Sequence, residues 1–179
     1  MRIPDRIPGV VWSLALLAAT TAPAGAVVPA RAGTAACPGS ATSGDARDEV
    51  RALLCLVNRT RMQHGLPELH ESAHLDQSSR LRALAIRRCG QLSHTACGQS
   101  FDGVFVRAGY RGSSIAENLA WGGGDLGSPA STVAAWCSSP PHRRNLLGSW
   151  REVGAALVHA DRLFGARDVT VWVVQFGRP

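Results

Sequence analysis

The chain contains no lysine. All 19 of its basic side chains are arginine, against 13 acidic ones, for a formal charge of +6. A glycine-rich phosphate loop needs a lysine just beyond its glycines, so Gly122-Gly123-Gly124 is not one. A basic stripe is also missing. Through the body of the chain the arginines are scattered from Arg47 to Arg178, and only Arg87-Arg88 and Arg143-Arg144 are adjacent. Without clustering or interleaved aromatics, nucleic-acid binding is not expected. A diffuse positive surface suits anionic wall polymers or lipid headgroups instead. No internal repeat occurs, and no apolar run of the roughly 20 residues that a spanning helix needs. The protein is therefore not expected to be integral to a membrane.

What is present begins with an export signal. Arg2 and Arg6 supply a positive start, Val10 to Ala19 is a short apolar run, and Ala24-Gly25-Ala26 fits a small-residue cleavage site. Residues 1–26 are read as a signal peptide and the protein as secreted. Residues 27–45, rich in Ala, Gly, Pro, Ser and Thr, read as a flexible lead-in. Residues 46–179 suit one domain with its own core, expected to act as a monomer. In an exported chain the five cysteines are read first as disulfides. Cys89 and Cys97 flank a short polar loop holding His94, which suggests a local bridge, and a Cys37–Cys55 bridge ties the lead-in to the first helix. Cys137 is left over as a free thiol, read as a small apolar residue on a helix face. A Cys137–His142 dyad is the functional alternative.

Periodicity organises the domain. Val50, Leu53, Leu54 and Val57 make one helical stripe between Ala46 and about His64, with Asp45 as its cap and Gly65 as its end. A second helix is predicted from about Ser72 to Arg88, with Leu75, Ser79, Ala83 and Ile86 on one face. Shorter helices are predicted at Ser100 to Gly109 and at Ser128 to Ser138, the latter stopped by Pro140-Pro141. Val153 to His159 and Val169 to Phe176 read as a hairpin joined by Asp161 to Asp168. Both parities of these strands are apolar, so the sheet is expected to be covered on both faces. The predicted class is α+β, a three-layer α/β/α sandwich around a small antiparallel sheet.

Chemistry-bearing residues gather in segments that read as connectors. These are Ser93-His94, Ala116 to Trp121 with Glu117 and Asn118, and Trp136 to Asn145 with His142. A carboxylate and two imidazoles in such segments are candidates for a site.

From Leu54 to Phe176 the chain resembles the CAP superfamily, the SCP or cysteine-rich secretory domain, in its compact bacterial branch. The matching residues run in family order: Asn58, Arg61, Gly65, Leu66 and Leu69; Ser93-His94; Ala108-Gly109-Tyr110; Glu117-Asn118-Leu119-Ala120. Trp136, Ser139, His142, Arg143 and Asn145 follow, then Glu152-Val153-Gly154 and Trp172 to Gly177. The resemblance implies an α/β/α sandwich with a surface cavity, which the wider family lines with two His and two Glu that hold a divalent metal in some members. His94 matches the first His and Glu117 the first Glu. Ser139 stands where the second Glu would be, and Gly148 to Arg151 contains no second His. The expected cavity set is His94, Glu117, His142, Asn118 and Glu152.

Two imidazoles and a carboxylate also match the donors of an open Zn²⁺ site, with His94 and His142 as candidate metal ligands. The preferred function is a secreted binding module, not an enzyme, that holds a lipid, sterol or cell-wall fragment. One alternative is a metal-assisted hydrolase acting on peptide or wall polymer. The other is an interaction protein whose cavity is structural.

Overall fold

A computed structural model describes residues 37–40 and 45–179. The residues read as a signal peptide, and most of those read as a lead-in, lie outside the described residues. The end of the lead-in is held in place. Cys37 is buried and bridged to Cys55, and Ser40 accepts a hydrogen bond from Ala130 N at 2.9 Å.

The first helix, α1 (Ala46–Gln63), is capped by Asp45, whose side chain accepts from Arg47 N. Of its apolar stripe, Leu53, Leu54 and Val57 are buried as the spacing predicts, and Val50 is half-buried at its edge. A two-residue strand, β1 (His70–Glu71), leads into α2 (Ala73–Cys89), which ends on Gly90 in the left-handed conformation. The Cys89–Cys97 bridge then closes the loop that carries His94. After α3 (Gly103–Arg107) come β2 (Ser114–Gly123), α4 (Pro129–Ser138) and α5 (Pro140–Leu146). The hairpin β3 (Glu152–Leu163) and β4 (Ala166–Arg178) completes the chain. Its turn is Phe164-Gly165, with φ of 53° and 79°, the left-handed pair that tight hairpins use.

The sheet order is β1-β3-β4-β2, with β1 parallel to β3 and the other pairs antiparallel. Strand alternation sends Trp172, Val174 and Phe176 to one face, where they pack with Leu53, Val57 and Trp136 from α1 and α4. Val169, Val171 and Val173 go to the other face, against Ala83 and Ile86 of α2. Burying each such side chain contributes about 1.5–3 kcal/mol, so two apolar faces require two helical layers. The fold is the α+β sandwich that the two-sided hairpin predicts. Gly154 marks where α2 presses closest on the sheet: a Cβ there would lie 2.2 Å from the Leu75 carbonyl carbon.

Three readings of the sequence are corrected. Ala116 to Trp121, read as a connector, lies within a ten-residue strand, Ser114–Gly123. Its Glu-Asn pair breaks the apolar alternation because both polar side chains find buried partners. Pro140-Pro141 does end α4 but also opens α5, since proline lacks only an N–H that a first helical turn leaves unpaired. The sheet has a parallel pairing at β1, too short for any periodicity to reveal. Among the described residues no helix is long and apolar enough to cross a membrane.

Candidate functional site

The site is built around a buried carboxylate. Glu117 lies on β2 opposite Gln175 of β4, and both side chains point toward α2. Glu117 Oε2 accepts from Gln175 Nε2 at 2.7 Å and from Arg82 Nε at 3.3 Å. Its Oε1 meets His94 Nδ1 at 2.7 Å. Gln175 is in turn oriented by the Ser78 hydroxyl, which donates to its Oε1. Arg82 also donates through Nη2 to the carbonyls of Ser100 and Phe101. Both partners of the Arg82–Glu117 pair are fully buried, whereas the His94 side chain is 51% exposed.

A carboxylate on Nδ1 fixes the tautomer and the orientation of a histidine. His94 therefore keeps its Nδ1 on the protein, and among the described residues its Nε2 makes no hydrogen bond. The half-exposed ring is the part of this network that a ligand can reach.

Asn118, the next residue on β2, points to the other face of the sheet. Its Nδ2 donates to the carbonyl of His142 at 3.1 Å, and its Oδ1 accepts from Asn145 Nδ2 at 2.9 Å. Asn145 Nδ2 also donates to the Glu117 carbonyl. Asn118 and Asn145 thus fasten α5 along the edge of β2 and set where His142 stands. His142 Nδ1 lies 2.8 Å from Ser139 Oγ, so the imidazole pairs with the hydroxyl and not with the half-buried Cys137.

His142 is near enough to His94 for the two rings to interact electrostatically. Burial pushes the His142 imidazole below its ordinary value, and His94 pushes it further the same way. The unfolded chain then takes up this proton more readily than the folded one. Stability from the neutral ring is present above about pH 6.5 and is lost as pH falls through the lowered folded value. A His142→Gln variant keeps a partner for Ser139 and removes the titration. Thermal melts between about pH 7 and pH 5 are expected to show a smaller drop in Tm for the variant than for the parent. Equal drops would place the acid sensitivity elsewhere.

Glu152 does not join this cluster. It begins β3, and its Oε2 accepts from Tyr110 OH at 2.8 Å. Burial and this carboxylate together push the Tyr110 hydroxyl well above its ordinary value. The structure thus joins Glu117 to His94 and holds His142 on Ser139 and Asn118, within electrostatic reach of His94, while Asn118 braces α5 and Glu152 serves a separate contact. Arg82, Gln175, Ser78 and Ser139 complete the network and were not among the candidates. An arginine on the buried face of α2 and a glutamine inside an apolar strand are the signals that point to them.

These residues do not fit the three-ligand zinc centre that the sequence suggested. Both Glu117 oxygens are committed to donors within the protein, and Arg82 already neutralises its charge. Among the described residues no three His, Cys, Asp or Glu side chains converge in a way that could hold a metal ion.

Comparison with known proteins agrees with this architecture. None of the curated proteins matches the chain. Among solved structures, an outer surface protein of Borrelia burgdorferi superposes with a TM-score of 0.64 at 20% identity, covering 75% of this chain and 96% of that one. An extracellular SCP-domain protein of Bacillus anthracis gives 0.63 at 18% identity, over 74% of this chain and 41% of that one. A cysteine-rich secretory protein of Staphylococcus aureus gives 0.60 at 18% identity, over 75% and 40%. This chain thus spans about two-fifths of the length of the latter two. At such identities the likeness is one of fold. The model of the cysteine-rich secretory protein family, CAP, matches residues 54–176, more than half of the sequence, and the chain belongs to that family.

Proposed function

We propose that this chain is an exported, monomeric binding module, in which His94 and His142 hold the polar end of an apolar or wall-derived ligand. The observation that carries the reading is the saturation of Glu117. A carboxylate bound by Arg82, Gln175 and His94 is poorly placed to act as a general base or nucleophile or to ligate a metal. What it does well is present the His94 ring to a ligand in one orientation. Two disulfides and kinship with proteins described as extracellular or outer-surface support an oxidising compartment.

The test is a titration of the folded chain, followed by nuclear magnetic resonance, with a long-chain fatty acid, a sterol and a peptidoglycan fragment. One of them is expected to bind saturably and to shift the His94 and His142 resonances. His94→Ala should weaken that binding roughly tenfold or more, the scale of one hydrogen bond to a charged group. No saturable binding, or unchanged affinity in both His94→Ala and His142→Ala, would overturn the reading.

A further inference from the structure

The two edges of the sheet are treated differently. The outer edge of β2 is covered: its Leu119 carbonyl accepts from Trp136 Nε1 and its Glu117 carbonyl from Asn145 Nδ2. The opposite edge belongs to β3, and β1 pairs with it only at Glu152 and Val153. Beyond that point no strand among the described residues pairs with it. The Val153 carbonyl accepts from Ser72 N, and Ala155 N donates to Asp76 Oδ1 at 3.0 Å. Odd-numbered residues therefore aim their backbone groups away from β4. The Ala155 carbonyl and both backbone groups of Leu157 and His159 follow in the same direction. Neither a proline nor a bulge interrupts Ala155 to His159, the usual ways of blunting an edge strand.

This edge forms the floor of a groove of about 800 Å³. One wall is the first half of α1, with Arg47, Val50 and Arg51. The other is an exposed stripe of α2, Ala73, Gln77, Arg80, Leu84 and Arg87, spaced to run along one side of the helix. Arg51 is paired with Asp48, but among the described residues Arg47, Arg80 and Arg87 make no ion pair. Two acidic residues line the groove, Glu71 and Asp76, and Asp76 is taken up by Ala155 N.

We propose that the groove is a docking site for an extended acidic peptide segment that adds a strand to the outer edge of β3. Strand addition supplies main-chain hydrogen bonds from the partner, and pockets for alternate side chains supply its selectivity. Here Val50, Leu84 and Leu157 offer the apolar contacts, and the unpaired arginines select acidic side chains on the rims. At about 3.3 Å per residue, Ala155 to His159 accommodates a stretch of about five residues. The groove lies at the far edge of the sheet from His94, so the two sites are separable by mutation.

The experiment uses the full chain and an end-blocked heptapeptide of alternating glutamate and threonine. Two further peptides carry N-methyl groups on alternate amides, one on each edge. A strand uses only one edge to pair. The parent peptide is therefore expected to bind, one methylated peptide to bind comparably and the other to lose binding. Amide exchange at Leu157 and His159 should slow when peptide is bound. Arg80→Glu with Arg87→Glu, both at exposed positions, should weaken binding roughly tenfold or more while leaving the fold intact. Equal binding of both methylated peptides, or unchanged exchange at Leu157 and His159, would reduce the contact to charge attraction and overturn the proposal. So would absence of peptide binding, or arginine-dependent binding to anionic vesicles without any to the peptide.

Discussion

Replacing Glu117 by Ala lowers the stability of the folded protein by about 3–5 kcal/mol, the scale of removing one partner from a buried ion pair. The guanidinium of Arg82 is fully buried, and an arginine side chain carries its charge throughout the working range of a protein. Without Glu117 it remains as an uncompensated charge between α2 and the sheet. Gln175 Nε2 and His94 Nδ1 lose their acceptors in the same step. Arg82→Met should also destabilise, because it strands the carboxylate. The double variant Glu117→Gln, Arg82→Met should recover much of the loss, since neither charge is then left alone. Urea unfolding of the four proteins measures this directly. If both single variants fall within about 1 kcal/mol of the parent, the pair is solvated and exerts no such hold on the site. The loss also reaches function, because His94 would no longer be oriented by its Nδ1.

Arg61→Ala is expected to cost a comparable amount, on the order of 3–5 kcal/mol, for a different reason. Arg61 on α1 is buried and donates through Nε to the Pro67 carbonyl at 3.0 Å. Its Nη1 reaches the carbonyls of Leu146 and Gly148, both at 2.8 Å. One planar fork thus gathers the exit of α1, the end of α5 and the loop before β3. Burial pushes its guanidinium below the ordinary value. Truncation leaves three carbonyl oxygens short of a donor, each worth about 1–3 kcal/mol if it stays dry. Arg61→Lys should recover only part of the loss, because a single ammonium cannot reproduce the fork. A lysine variant as stable as the parent would show that charge alone suffices.

The legible parts of this protein are those where a repeating pattern reports burial. Val50, Leu53, Leu54 and Val57 announce α1, and the doubly apolar Val169 to Phe176 announces a covered strand. The strand β2 was not legible. Glu117 and Asn118 are adjacent polar residues, a pattern that ordinarily marks a loop, yet each is fully or nearly fully buried. Arg82 and Gln175 stand at otherwise apolar positions of α2 and β4, which marks them as buried, but no local pattern names Glu117 as the partner of both. Glu117 and His94 were recognisable as a pair of motifs in family order, but their contact and the exclusion of Glu152 were not.

The sequence by itself determined the main helices, the hairpin and the need for two covering layers, because those follow from local periodicity and turn chemistry. Only the tertiary structure decided the site. Glu117 takes its partners from 23, 35 and 58 residues away in the chain, at His94, Arg82 and Gln175. Strand alternation then separates it from Asn118, although the two are neighbours in sequence. Whether a polar side chain can be buried depends on donors and acceptors brought from distant segments, and no local pattern carries that information.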